Sequence, residues 1–207
     1  MALARGSADM KVGMQQRAGR LLCGGLACCV LGLLALPFAA CAQWHDRQGK
    51  PVADSAERAH DKTFAAAVHV ADEAAFARFG KEWTETDSSH RPQLRTAARV
   101  RRGEPLRVVV LYSGCAPSPN NDGACDAQLS LRMLRPDGQV ALQEPARALT
   151  TGGKPAAAGM LELAPLSLQL RFEPEDPLGP YVLHATLNDP SQDAWVRVQT
   201  QVELIAD

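Results

Sequence analysis

No H-E-x-x-H stretch occurs in the sequence, and no two of its histidines (His45, His60, His69, His90, His184) stand at the i, i+4 spacing of a helical metal pair. G-x-S-x-G, S-x-x-K, the phosphate-binding P-loop and G-x-G-x-x-G are also missing, which removes the local signatures of serine hydrolases, nucleotide-binding proteins and dinucleotide oxidoreductases. No basic run is long enough to track a nucleic-acid backbone; the short cluster Arg99, Arg101 and Arg102 adjoins a turn and reads as a solvated strand end. Two acidic or amide-rich stretches, Glu173 to Asp176 and Asn120 to Asp126, have oxygen ligands but not the spacing of a calcium loop. Ser113-Gly114-Cys115 could present a nucleophile at a strand end, but a disulfide at Cys115 would consume the thiol. No catalytic set and no cofactor is therefore expected.

The N-terminal region supplies the clearest positive signal. Arg5, Lys11, Arg17 and Arg20 precede an uncharged run from Leu21 to Phe38, and small residues follow as Ala39-Ala40-Cys41-Ala42. A basic flank, an apolar segment and a small-residue cleavage zone form a secretory signal. Met10 or Met14 as the start would shorten the long basic flank to an ordinary length. Pro37 ends the apolar helix. Leu21 to Ala42 just reaches the roughly 20 residues of a membrane span, but its glycines and Pro37 favour cleavage over an anchor. Ala40 and Ala42 suit ordinary signal peptidase, whereas Phe38-Ala39-Ala40-Cys41 resembles the lipobox of bacterial lipoproteins, in which Cys41 would carry the lipid. Both routes stay open.

Four of the 22 basic residues and one of the 23 acidic residues lie within residues 1–42, so the remainder carries a net charge of about −4. Cys23, Cys28, Cys29 and Cys41 also lie there, leaving only Cys115 and Cys125 beyond it. Two cysteines in an oxidising compartment read as a disulfide, and the turn-forming APSPNNDGA between them lets their ends meet. If cleavage follows Ala42, the new terminus Gln43-Trp44-His45 offers an amine, two amides and an imidazole to a square-planar Cu(II) or Ni(II). Acylation at Cys41 would abolish that site, and no other metal is expected.

Residues 43–61 are polar and aperiodic and read as a flexible tether ahead of a domain over 62–207. Phe64, Ala66, Val68 and Val70 alternate as a short strand. Asp72 is a helix N-cap, and Phe76, Phe79 and Trp83 share one face of a helix over about 73–83. Beyond Pro92 the pattern is β throughout: Leu94 to Arg101, Leu106 to Ser113, Ala127 to Arg135, Gln139 to Leu142, Met160 to Leu163, Leu166 to Phe172, Tyr181 to Leu187 and Ala194 to Ile205, with a loop over 143–158. No crossover helices separate these strands, so an antiparallel sandwich is expected rather than a parallel sheet.

Leu178-Gly179-Pro180-Tyr181, with Ala185 and Asp189 following, resembles the start of a strand in immunoglobulin-like domains, where a tyrosine hydroxyl bonds back to the chain. The antibody-type cysteine two positions after that tyrosine is Leu183 here. Bacterial immunoglobulin-like modules, including those of macroglobulin type, look similar in this turn and in the Pro136-Asp137-Gly138 hairpin. The resemblance spans about residues 95–205 and implies a mainly β, antiparallel immunoglobulin-like β-sandwich with one N-terminal α-helix and a tyrosine corner at Tyr181. The resulting expectation is an exported, periplasmic or surface-attached binding domain without catalysis. Its partner would be a protein or glycan of the cell envelope, not nucleic acid, with a possible membrane tether. A secreted hydrolase or inhibitor with a dispersed site and a metal-handling protein are the alternatives.

Overall fold

The computed structural model describes residues 44–45, 48–85, 92–150, 153–157, 159–165 and 168–206. Cys41, Gln43 and the proposed leader lie outside the described residues. In chain order the elements are β1 (Trp44–His45), β2 (Pro51–Val52), β3 (Arg58–Asp61), β4 (Phe64–Asp72), α1 (Glu73–Thr84), β5 (Arg99–Val100), β6 (Leu106–Ser113), β7 (Gln128–Leu134), β8 (Val140–Ala148), β9 (Glu162–Leu163), β10 (Leu168–Leu170), β11 (Gly179–Asp189) and β12 (Ala194–Leu204). The protein is mainly β with one short helix.

Strands β3, β4, β6, β9 and β10 form one sheet, and β5, β12, β11, β7 and β8, in that order, form another. Inward-facing residues of both sheets, among them Phe64, Val68, Val108, Tyr112, Leu129, Leu131, Leu183, Leu187 and Val196, make one apolar cluster. Each fully buried Leu or Val side chain contributes about 1.5–3 kcal/mol by leaving water. Alternation explains the second sheet directly, because Ala194, Val196, Val198, Thr200, Val202 and Leu204 are buried while the intervening residues face outward.

Strand β4 is buried on both faces, since Ala65, Ala67 and Ala71 are as inaccessible as Phe64 and Val68. Helix α1 packs on β4 and β6. Its N-terminus is held by the Asp72 carboxylate, which accepts the Ala75 N–H at 2.6 Å. Phe79 is buried and stacks on Trp83 with centroids 5.4 Å apart. Arg107 of β6 donates Nε to Glu73 Oε2 at 2.8 Å and Nη2 to Oε1 at 3.0 Å, and its guanidinium lies 5.5 Å from the Phe76 ring. That forked bond holds the Glu73 carboxyl below the usual carboxylate range. The aromatic helix face is thus turned to the sheet.

Several segments differ from the sequence expectation. Residues 58–61, assigned to the tether, form β3, hydrogen-bonded along β4 from Arg58↔Ala67 to Asp61↔Phe64. Of the strand expected over Leu94 to Arg101, only Arg99–Val100 pairs, and it runs parallel to β12, so that sheet is mixed rather than purely antiparallel. Strand β8 runs through Pro145 into the expected loop. A proline is tolerated there because β8 is an edge strand and the ladder with β7 shifts register between Leu129 and Leu131, beside Glu144 and Arg147.

Candidate functional site

Cys115 and Cys125 are joined by a disulfide, with Cα atoms 5.9 Å apart. The loop it closes is tied to the rest of the protein by Asp189, which is fully buried at the end of β11. Its Oδ2 accepts the Ala116 N–H at 2.7 Å and Gln192 Nε2 at 2.6 Å, and its Oδ1 accepts the Ser191 N–H at 3.1 Å. Gly114 sits between the same elements, its carbonyl accepting from Gln192 Nε2 at 2.9 Å and from Thr63 Oγ1 at 3.2 Å. Ser113 is buried in this frame.

The other residues singled out in the sequence are engaged in structure. Tyr181 donates its hydroxyl to the Pro177 carbonyl at 3.0 Å and packs on Phe172, with centroids 4.5 Å apart; burial pushes its phenol upward in pKa. The acidic turn after Phe172 is used internally, with Asp176 accepting the Glu173 N–H at 2.8 Å and lying 3.6 Å from Arg135 Nη2. Asp126 accepts from Asn121 Nδ2 at 2.8 Å and from the Ser118 hydroxyl. Trp44 and His45 form β1, which pairs with Pro51–Val52, and the Trp44 indole donates to the Ala59 carbonyl at 3.4 Å. Among the described residues, no group of three or more His, Cys, Asp or Glu side chains could hold a metal ion.

A cleft of about 190 Å³ opens beside the disulfide, with Tyr112, Lys154 and Glu162 among its walls. The Tyr112 hydroxyl donates to Glu162 Oε2 at 3.1 Å, and burial followed by the Glu162 charge drives its pKa well above the ordinary phenol value. A phenol held so firmly protonated is no base at neutral pH. Glu162 is further committed through the Ala156 N–H to Oε1 at 3.2 Å.

His69, on β4, has a lowered pKa. Burial is the main cause; Glu57, 4.0 Å from Nδ1, opposes it and Arg58 adds to it. Its Nδ1 is buried and hydrogen-bonds to nothing. The native state therefore favours the neutral ring, while the unfolded chain takes up a proton near the ordinary value of about 6.5. Stability from this group is complete above that value and is lost as pH falls below it, by at most about 1.4 kcal/mol per pH unit. Urea midpoints of wild type and His69→Gln at pH 7.5 and 5.5 should show the larger acid loss in wild type. An equal loss in both would assign the effect to other groups.

The outward face of the second sheet makes few structural bonds: Asn188 Nδ2 donates to the Ala194 carbonyl at 3.3 Å and the Ser130 hydroxyl to the Thr186 carbonyl at 3.5 Å. Among the described residues, helix α1 packs on the first sheet and not on this one. Register places the side chains of this outward face in four cross-strand rows: Trp195–Asn188–Gln128, Arg197–Thr186–Ser130, Gln199–His184–Arg132 and Gln201–Val182–Leu134. Trp195 is 49% exposed, which is unusual for so large an apolar ring, and Arg197 lies over it at 5.9 Å from the ring centre. The rows otherwise hold amides, hydroxyls, His184, Arg132 and two apolar residues at one end, with no carboxylate. Trp195 to Gln201 spans about 20 Å at about 3.4 Å per residue. The sequence reading recognised β12 but not this face. The alternation of Trp195, Arg197, Gln199 and Gln201 with buried neighbours was the available signal.

No family model and no curated protein matches this chain. Among solved structures, an alkylpurine DNA glycosylase from Pseudomonas fluorescens is 15% identical, with TM-score 0.34, covering 52% of this chain and 27% of its own. A Niemann-Pick type C2 protein from the Japanese carpenter ant is 8% identical, with TM-score 0.36, over 67% and 89%. A chitin binding domain from Burkholderia pseudomallei is 12% identical, with TM-score 0.32, over 54% and 57%. The chain thus spans less than two thirds of the glycosylase and of the chitin binding domain. At these TM-scores the likenesses carry no argument about this protein.

Proposed function

We propose that this protein is an exported, envelope-located immunoglobulin-like β-sandwich that binds a glycan, without catalysis, on the outward face of its second sheet. The observation that carries the reading is Trp195, exposed on a strand face that also presents amide and hydroxyl side chains. A sugar ring has an apolar C–H face and an equatorial rim of hydroxyls. An exposed indole covers the first, and Asn188, Gln199, Gln128 and Thr186 are matched to the second, since each amide both donates and accepts. Two sheets over one apolar cluster and the Tyr181–Pro177 bond support the sandwich reading. The leader-like residues 1–42 and the disulfide support export to an oxidising compartment, free or through a lipid on Cys41.

Trp195→Ala should lower affinity for the bound glycan by about 30-fold, the loss of an interface anchor worth about 2 kcal/mol. Glycan-array screening followed by calorimetry on the hits reads this. Stability should fall by about 1–2 kcal/mol, because the ring is only 49% exposed and its covered half loses its apolar contacts. Failure of the wild type to bind any glycan, or equal binding by the variant, would sink the reading.

A further inference from the structure

We infer, building on the glycan reading, that the outward face of the second sheet selects acidic saccharides carrying uronic-acid carboxylates over neutral ones. His184 pairs across strands with Arg132 on one side and with Gln199 on the other, and Arg197 precedes Gln199 by two residues on β12. Arg132 and His184 are therefore directly opposed, and Arg197 lies one row further along on the next strand beside Trp195, with neighbouring Cα atoms about 5–8 Å apart. Neither arginine is paired with a carboxylate among the described residues.

The acids bordering the face are already engaged. Asp61 accepts the Trp195 backbone N–H at 2.9 Å, and Glu57 accepts the Thr200 hydroxyl at 3.1 Å. Glu203 holds Arg99 at 3.0 Å, Glu144 holds Arg147 at 3.2 Å, and Asp193 lies 3.8 Å from Lys62. Bonds from neutral N–H and O–H groups leave Asp61 and Glu57 charged at the border, but the four rows themselves hold two arginines and no carboxylate, on a domain whose net charge beyond residue 42 is about −4. Such segregation steers an anion to one side of the molecule. A guanidinium matches a carboxylate with two parallel hydrogen bonds, and a uronate places that carboxylate on a ring whose C–H face can lie on Trp195.

The test uses protein produced from the full-length sequence, titrated with tetramers of galacturonic and mannuronic acid and, in parallel, with cellotetraose and chitotetraose. At low salt at least one uronate should bind about tenfold or more tighter than either neutral tetramer, and the advantage should shrink as salt rises. Arg132→Gln and Arg197→Gln should each weaken uronate binding several-fold and leave neutral binding unchanged; both sites are exposed, so the fold is retained. Equal or tighter binding of the neutral tetramers, or uronate affinity indifferent to both substitutions, would overturn the acidic preference and leave glycan binding standing. No binding of any tetramer would likewise overturn the acidic preference, and a blank glycan array besides would overturn both.

Discussion

Gly114→Ala should destabilise the protein by about 2–5 kcal/mol. Gly114 adopts φ +70°, and a Cβ built on it would lie 1.7 Å from the Thr63 carbonyl oxygen. The positive φ alone costs an L-residue about 1–2 kcal/mol. The clash is with backbone, which no side-chain rotation relieves, so the β3–β4 turn or the start of the disulfide loop has to move. That displacement strains the Thr63 and Gln192 bonds to the Gly114 carbonyl and adds an overpacking cost of about 1–3 kcal/mol. Gly103→Ala is the matched comparison, because Gly103 has φ +73° with nothing within 4 Å of its Cβ position. It should cost only the conformational part. Urea denaturation of both variants separates the two contributions, and equal losses would show that the close approach to Thr63 is unimportant.

Asp189→Ala should cost about 3 kcal/mol or more. The carboxylate is fully buried and accepts three N–H groups, two of them backbone, from both sides of the chain crossing. Truncation leaves those donors without an acceptor, at about 1–3 kcal/mol for each that water does not reach. Asp189→Asn should be milder, since one side-chain oxygen still accepts. The Ala116 N–H that Asp189 holds lies one residue from Cys115, so the carboxylate and the disulfide restrain the same loop. Removing the Cys115–Cys125 bond alone should cost about 2–3 kcal/mol in the chain-entropy account. The combined variant should lose less than the sum, because a loop already released has less left to lose. Strict additivity in urea midpoints would mean that the two restraints act on independent segments.

Some features follow from local chemistry alone. Asp72 caps α1 because its carboxylate reaches an N–H only three residues on, and Cys115 meets Cys125 because the nine residues between them are turn formers. Leu129, Leu131 and Met133 alternate with outward-facing neighbours along β7 and are all buried. Tertiary structure decided everything that depends on a neighbour far along the chain. Residues 58–61 have no strand pattern of their own, yet β4 recruits them; Pro145 is admitted because β8 lies at an edge; and Arg99–Val100 pairs parallel to a strand a hundred residues later. The candidate site belongs to the same class. Period-two alternation states that Trp195, His184 and Arg132 point away from the core, but only cross-strand register sets them on one surface, and only the placement of α1 on the opposite sheet keeps the helix off that surface. Side-chain direction is a property of the strand, whereas a binding face is a property of how strands pair and what covers them.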